Sequence, residues 1–146
     1  MLQVRDMTVE EMHALLRKAG FGHLACARDG RPYVVPMNYA YDAGEIYFFT
    51  TEGTKTEFMD ANPEVCLQVE EIKHSGHWRS VMVTGRAERV ARAEELEHAM
   101  QVLTRGNPTL TPAISETKVE AWGRPGNVVV YRIRSRVMDG RKTSDE

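Results

Sequence analysis

Two tight turns, Asp29-Gly30 and Asp42-Ala43-Gly44, divide residues 21–50 into three runs of strand-forming residues. Turns this short join antiparallel neighbours, because a parallel pair needs a crossover of about a dozen residues or more. The runs are Phe21 to Arg28, Pro32 to Tyr41 and Glu45 to Thr50. Pro36 interrupts the second; lacking an N–H, it places that run at a sheet edge or a bulge. Further on, Val65, Leu67 and Val69 alternate with Cys66, Gln68 and Glu70, the period of a half-buried strand. Ser80 to Val90 is a fifth strand, with Gly85 marking a bulge or a close backbone approach. Asn127 to Met138 is the sixth, where Val129, Tyr131, Ile133 and Val137 alternate with Arg132, Arg134 and Arg136.

Helical spacing appears in three places. Thr8-Val9-Glu10-Glu11 is a capping box: a hydroxyl acceptor at the cap and a carboxylate three residues on. Met12, Leu15, Leu16 and Ala19 then recur at helical spacing, and Gly20 is a C-terminal stop. Thr54-Lys55-Thr56-Glu57 reads as a second box capped by Thr54, with Phe58 and Met59 on the apolar side and an end at Asn62-Pro63. Ala93 to Thr104 carries Leu96, Met100 and Leu103 on one side. Ile72 to Arg79 reads as loop, and Gly106 to Gly126 is proline-rich and poorly patterned. The reading is a mainly β (α+β) chain: a single domain over residues 1–138, a six-stranded antiparallel barrel with short helices packed outside, and a polar, unstructured tail at 139–146.

At 146 residues with 42% hydrophobic and 27% charged content, the chain has the make-up of one soluble globular domain. A net charge of -2 argues against a surface built for nucleic-acid phosphates. No apolar run is long enough to span a membrane, and the N-terminus lacks a signal-peptide layout. Cys26 and Cys66 lie singly in strand runs and read as buried, reduced thiols, which points to the cytoplasm.

The stretch Thr50-Thr51-Glu52-Gly53-Thr54-Lys55 places hydroxyls, a glycine and a lysine where a strand gives way to a helix. The first-turn amides of a helix are unpaired donors and its dipole favours an anion, so this is a natural phosphate holder. Lys55 adds a full positive charge; its bland reading is an exposed lysine beside Glu57.

The segments GHLACARDGRPYVVPMNYAYD, EIYFFTTEGTKTEFMDANPEVCLQVEE and SVMVTGRAERV, in this order and spacing, resemble the pyridoxamine 5'-phosphate oxidase-related, FMN-binding split-barrel proteins, nearest to their nitroimidazole-resistance-type subgroup. The resemblance runs from about Thr8 to the C-terminus. It implies a homodimer with two FMN molecules at the subunit interface. Val35, Pro36, Met37 and Asn38 would run along the isoalloxazine edge, and Phe49, Thr50 and Thr51 would line the ribityl chain and ring. Lys55 would bind the phosphate, Ser80 and Val81 would complete the pocket, and Trp122 would cover the flavin from the partner. Trp78 and Arg79 are comparable candidates for stacking or phosphate pairing. The subgroup often carries histidine where this chain has Phe49, which removes the best acid or base beside the flavin.

The implied activity is FMN-mediated oxidoreduction of a small molecule, with reduced nicotinamide as a candidate donor and no assigned catalytic residue. A flavin- or haem-binding module without turnover and a deazaflavin-dependent reductase of the same fold are the alternatives. His74-Ser75-Gly76-His77 lacks companions for a metal site and reads as surface loop. Neither a dinucleotide-binding glycine motif, nor a full Walker pattern, nor a nucleophile elbow is present.

Overall fold

The computed structural model describes residues 2–106 and 128–145. In chain order the elements are β1 (Leu2–Asp6), α1 (Val9–Ala19), β2 (Phe21–Arg28), β3 (Arg31–Asn38), β4 (Ala40–Asp42), β5 (Glu45–Thr51), α2 (Thr54–Ala61), β6 (Glu64–His74), β7 (His77–Arg89), α3 (Ala93–Gly106) and β8 (Val128–Asp145). The strands form one antiparallel sheet of eight, ordered β3-β2-β6-β7-β8-β5-β4, with β1 added on β8. β3 and β4 lie at opposite ends of that path, yet only Tyr39 separates them in sequence. One residue can bridge both ends only if the sheet curls back on itself, and the result is the expected split barrel. Tyr39 is fully buried at this joint; its N–H donates to the Gly20 carbonyl at 3.0 Å and its hydroxyl to the Leu16 carbonyl at 2.7 Å.

The turns follow their residues. Asp29 and Gly30 have φ of 50° and 78°, and Ala43 and Gly44 have 50° and 84°. Consecutive left-handed residues are the signature of the two-residue hairpin whose twist matches the strands it joins. Gly85 is both a bulge and a close approach. β7 shifts register against β8 beside it, and a Cβ there would fall 2.2 Å from the Arg134 carbonyl oxygen. β3 is an edge strand and runs through Pro36 in unbroken register with β2.

Three expectations are corrected. The barrel has eight strands rather than six, because Tyr39 divides the Pro32–Tyr41 run and Leu2–Asp6 is itself a strand. Ile72–Arg79 is not loop: β6 and β7 continue through it as one long hairpin, turning at Ser75-Gly76. Its residues alternate poorly because this end of the hairpin is largely exposed, so no burial period is imprinted on it. Residues 139–145, read as an unstructured tail, belong to β8 and pair with β7 on one side and β1 on the other. Backbone ladders on both flanks hold a strand whatever the polarity of its side chains.

Two cores result. The barrel interior is filled by Leu24, Ile46, Phe48, Leu67, Val69, Val83 and Tyr131, closed by Leu15 and Leu16 of α1 and Met59 of α2. A smaller cluster outside pairs Ala99, Val102 and Leu103 of α3 with Tyr47 and Val130. Among the described residues no helix is long and apolar enough to cross a membrane.

Candidate functional site

β5 and α2 are separated by Glu52 and Gly53 alone, so the last side chains of a barrel strand and the first of a helix meet. Thr50 is 7% exposed and lies on the same face of β5 as the core residues Ile46 and Phe48. Lys55 reaches back from the helix, and its ammonium donates to Thr50 Oγ1 at 2.6 Å. The Thr50 hydroxyl in turn lies 3.3 Å from the Thr51 carbonyl. Cys26 on β2 borders the same place. Burial pushes its thiol pKa up, and the positive charge of Lys55 pulls in the opposite direction.

The helix start is one residue earlier than the second capping box implies. Gly53, not Thr54, is the N-cap, and Thr54 is the first helical residue. The buried Thr56 hydroxyl accepts from the Gly53 N–H at 2.9 Å and donates to the Gly53 carbonyl at 2.9 Å. One hydroxyl thereby supplies what a cap side chain and a reaching carboxylate divide elsewhere, and Glu57 is left exposed. Thr54, Lys55 and Thr56 present first-turn amides that have no intrahelical acceptor, at the positive end of the helix dipole.

A network that local sequence spacing gives no sign of surrounds this start. Arg89, at the end of β7, donates through its terminal nitrogens to both Glu52 oxygens, at 3.1 and 2.8 Å. The same guanidinium grips Asp60 in the last turn of α2 at 3.2 and 2.6 Å. Tyr131 on β8 donates to Asp60 at 3.0 Å, and Arg89 stands over the Tyr131 ring, 5.5 Å from its centre. Bonds from Arg89 hold the carboxyl pKa values of Glu52 and Asp60 below their ordinary range, with Thr56 assisting at Glu52 and Tyr131 at Asp60. Arg89 lies 29 and 37 residues from its two partners, so only the fold reveals it.

The other candidates divide between faces. On β3, Val35 and Met37 pack toward the barrel core, whereas Pro36 and Asn38 are exposed on the outer face. Phe49 points away from Thr50 and packs with the α3 cluster. Val81 is wholly buried in the barrel interior. Ser80 faces outward and accepts from Gln68 at 3.1 Å. Trp78 is tied through its backbone to Thr143 at 3.0 Å, and Arg79 is paired with Glu71 at 2.9 Å. Thr51 is exposed at the strand end. Trp122 and most of the Gly106–Gly126 segment lie outside the described residues.

The outer face of the sheet carries a second feature. Register places Val34, Ala25, Cys66, Thr84 and Val137 side by side across five strands. Val34 and Val137 at the ends of this row are 59% and 52% exposed, and Met82 and Phe21 nearby are 47% and 48% exposed. Exposed apolar side chains thus recur on this face, with the Thr84 hydroxyl among them.

Residues 8–142 match the family model described as pyridoxamine 5'-phosphate oxidase. The chain belongs to this family. A crystal structure of a FAD-binding protein from Mesorhizobium loti superposes with a TM-score of 0.79 at 35% identity, covering 99% of this chain and 100% of that one. A putative 5-nitroimidazole antibiotic resistance protein from Bacteroides thetaiotaomicron shares the fold, with a TM-score of 0.74 at 23% identity over 100% and 93% of the two chains. An uncharacterized protein of Rhizobium meliloti is 37% identical over 95 residues, which is 65% of this chain and 63% of that protein's length. Family membership accounts for the order of strands, turns and helices along the chain.

Proposed function

We propose that this protein binds FMN with its phosphate at the β5–α2 junction and serves as a flavin-dependent oxidoreductase acting on a small molecule. The observation that carries this reading is the approach of Lys55 to Thr50 at 2.6 Å, beside first-turn amides that have no acceptor of their own. A cation, a hydroxyl and a set of oriented N–H donors at one point suit a phosphate monoester. A bound flavin would supply the redox chemistry, hydride transfer between a donor such as reduced nicotinamide and an acceptor. The chain's own part is to anchor the phosphate and orient the ring.

The edge strand β3 offers Pro36 and Asn38 on the outer face, where the Asn38 amide has both donors and an acceptor for a polar ring edge. The row from Val34 to Val137 is the surface on which a second copy of the chain would pack to form a homodimer, with the flavin at its margin. Phe49 packs with α3, and no histidine stands at the junction, so substrate choice falls to the shape of the cavity over the ring. The Mesorhizobium relative, described as FAD-binding, makes FAD the competing cofactor, since its flavin end carries a phosphate in the same place.

The test is the mass and spectrum of the small molecule that purifies with the protein. Yellow protein releasing FMN supports the reading, and release of FAD moves it to the dinucleotide. A Soret band, or protein that stays colourless after soaking in FMN, sinks it. Anaerobic mixing of the flavin-loaded protein with reduced nicotinamide then separates an enzyme, whose flavin bleaches, from a passive carrier. Val34→Asp should give a monomer by light scattering if the outer row is the dimer surface; an unchanged mass, whether dimer or monomer, removes that assignment.

A further inference from the structure

We propose that Arg89 is the positioning residue of the phosphate site: it fixes the Glu52–Lys55 turn and cancels the carboxylate charge that would otherwise repel a phosphorylated ligand. This rests on the reading of Lys55 as the phosphate anchor. The bonds of Arg89 go to Glu52 and Asp60, while Lys55 bonds to Thr50.

The geometry gives Arg89 two jobs. Glu52 stands in the two-residue connection before α2, and Asp60 stands in the last turn of that helix. One planar guanidinium bonds to both carboxylates, so both ends of the segment bearing Lys55 are tied to the end of β7. The Tyr131 hydroxyl on Asp60 and the Tyr131 ring under Arg89 extend the tie to β8, in the barrel wall. An ammonium cannot reproduce this, because Arg carries five donors in a rigid fork and Lys a single point charge.

The second job is electrostatic. Glu52 is three residues before Lys55 in the same turn, and its carboxyl is held in the charged form. Unpaired, it would compete with phosphate for the Lys55 ammonium and add repulsion beside the anion. The Arg89 pair removes that competition, leaving Lys55 directed at Thr50. Arg89 therefore acts on the phosphate end of a ligand and not on its ring.

That distinction sets the experiment. FMN and riboflavin share the ring and ribityl chain and differ in the phosphate, so the ratio of their affinities reports the phosphate site alone. Fluorescence titration should show Lys55→Ala lowering the FMN preference by about 30-fold or more, the scale of a lost charge-assisted contact. Arg89→Gln should lower it by about 10-fold with riboflavin affinity unchanged. Arg89→Lys keeps the charge but loses the fork; it should fold normally and lower the preference by about 3-fold, which keeps the proposal testable if Arg89→Gln does not fold. A wild-type ratio in Arg89→Lys, or equal losses for both ligands in either Arg89 variant, overturns the positioning role while Lys55 stands. An unchanged ratio in Lys55→Ala overturns the phosphate reading and the Arg89 proposal with it.

Discussion

The chain begins two of its helices with the same pattern, Thr-x-x-Glu, and the two starts are opposite in character. At α1 the pattern closes on itself: the Glu11 N–H donates to Thr8 Oγ1 at 3.1 Å, and the Thr8 N–H donates to the Glu11 carboxylate at 2.8 Å. Lys142 from β8 then pairs with the same carboxylate, so the positive end of the helix is filled from within the protein. At α2 the cap moves back to Gly53, Thr56 does the local bonding, and the glutamate is left outside. A lysine stands in the first turn instead. A cation at a helix N-terminus is unfavourable by roughly 0.3–1 kcal/mol. Broken local rules of this kind concentrate at functional sites, and under the proposed reading the partner of Lys55 is an anion.

The strongest way to break this contrast is to make the second start resemble the first. Lys55→Glu places a carboxylate where the phosphate is proposed to lie. Flavin mononucleotide affinity should fall by about 100-fold or more, while the ligand-free protein should melt at the same temperature or slightly higher, since the substitution now agrees with the dipole. Unchanged affinity in a fluorescence titration, or a clear drop in the ligand-free melting temperature, would mean that Lys55 serves structure. Thr56→Val is the next largest change. It keeps the shape of a buried residue and removes the hydroxyl that serves both Gly53 groups. The expected cost is about 1–2 kcal/mol in denaturant unfolding together with weaker FMN binding. A variant as stable as the parent would show that water replaces the hydroxyl and that the start is not rigid.

How far the sequence carries can be judged from these same residues. Thr8, Glu11 and Gly20 state the limits of α1 because capping chemistry is local, and each signal acts within about one helical turn. Asp29-Gly30 and Gly85 were legible for the same reason: backbone conformation and close approach leave glycine in place. The second start was misread by one residue because Thr54 and Thr56 flank Lys55 and either hydroxyl can cap; burial of Thr56 decides, and burial is not local. Residues 139–145 and β1 were missed because their order comes from ladders with strands distant in sequence: β1 pairs with β8 more than a hundred residues away, and residues 139–142 pair with β7 as well. Arg89 belongs with them. Its partners meet it only after β7, α2 and the β5 turn have been brought together.

The first start can be broken as a control on the second. Thr8→Ala removes the cap acceptor and should cost about 1 kcal/mol of stability. Flavin mononucleotide affinity should not move, because α1 packs at the β3–β4 joint and not at the β5–α2 junction. A matching loss of affinity would show that the two starts are coupled through the barrel and would weaken the contrast between them.

The smallest effect lies in the acid range. The Lys142 ammonium, with help from Thr8, holds the Glu11 pKa at about 2, below its ordinary value of 4.5. Between those two values the folded chain binds fewer protons than the unfolded one, so this group adds stability that is fully present above pH 4.5 and is lost as pH falls toward 2. Glu11 is 28% exposed and Lys142 16%, so the pair is only partly shielded from water and is worth at most about 1 kcal/mol. Glu11→Gln should therefore flatten the fall in stability between pH 4.5 and 2 and leave the pH dependence of FMN binding as it was. Glu52 and Asp60 also have lowered values, and Arg89 is the first cause at each, so their acid titration belongs to the second start. If Glu11→Gln shifts the acid release of FMN instead, the carboxylate of α1 is acting on the ligand site, and the division between a self-closed start and an open one fails.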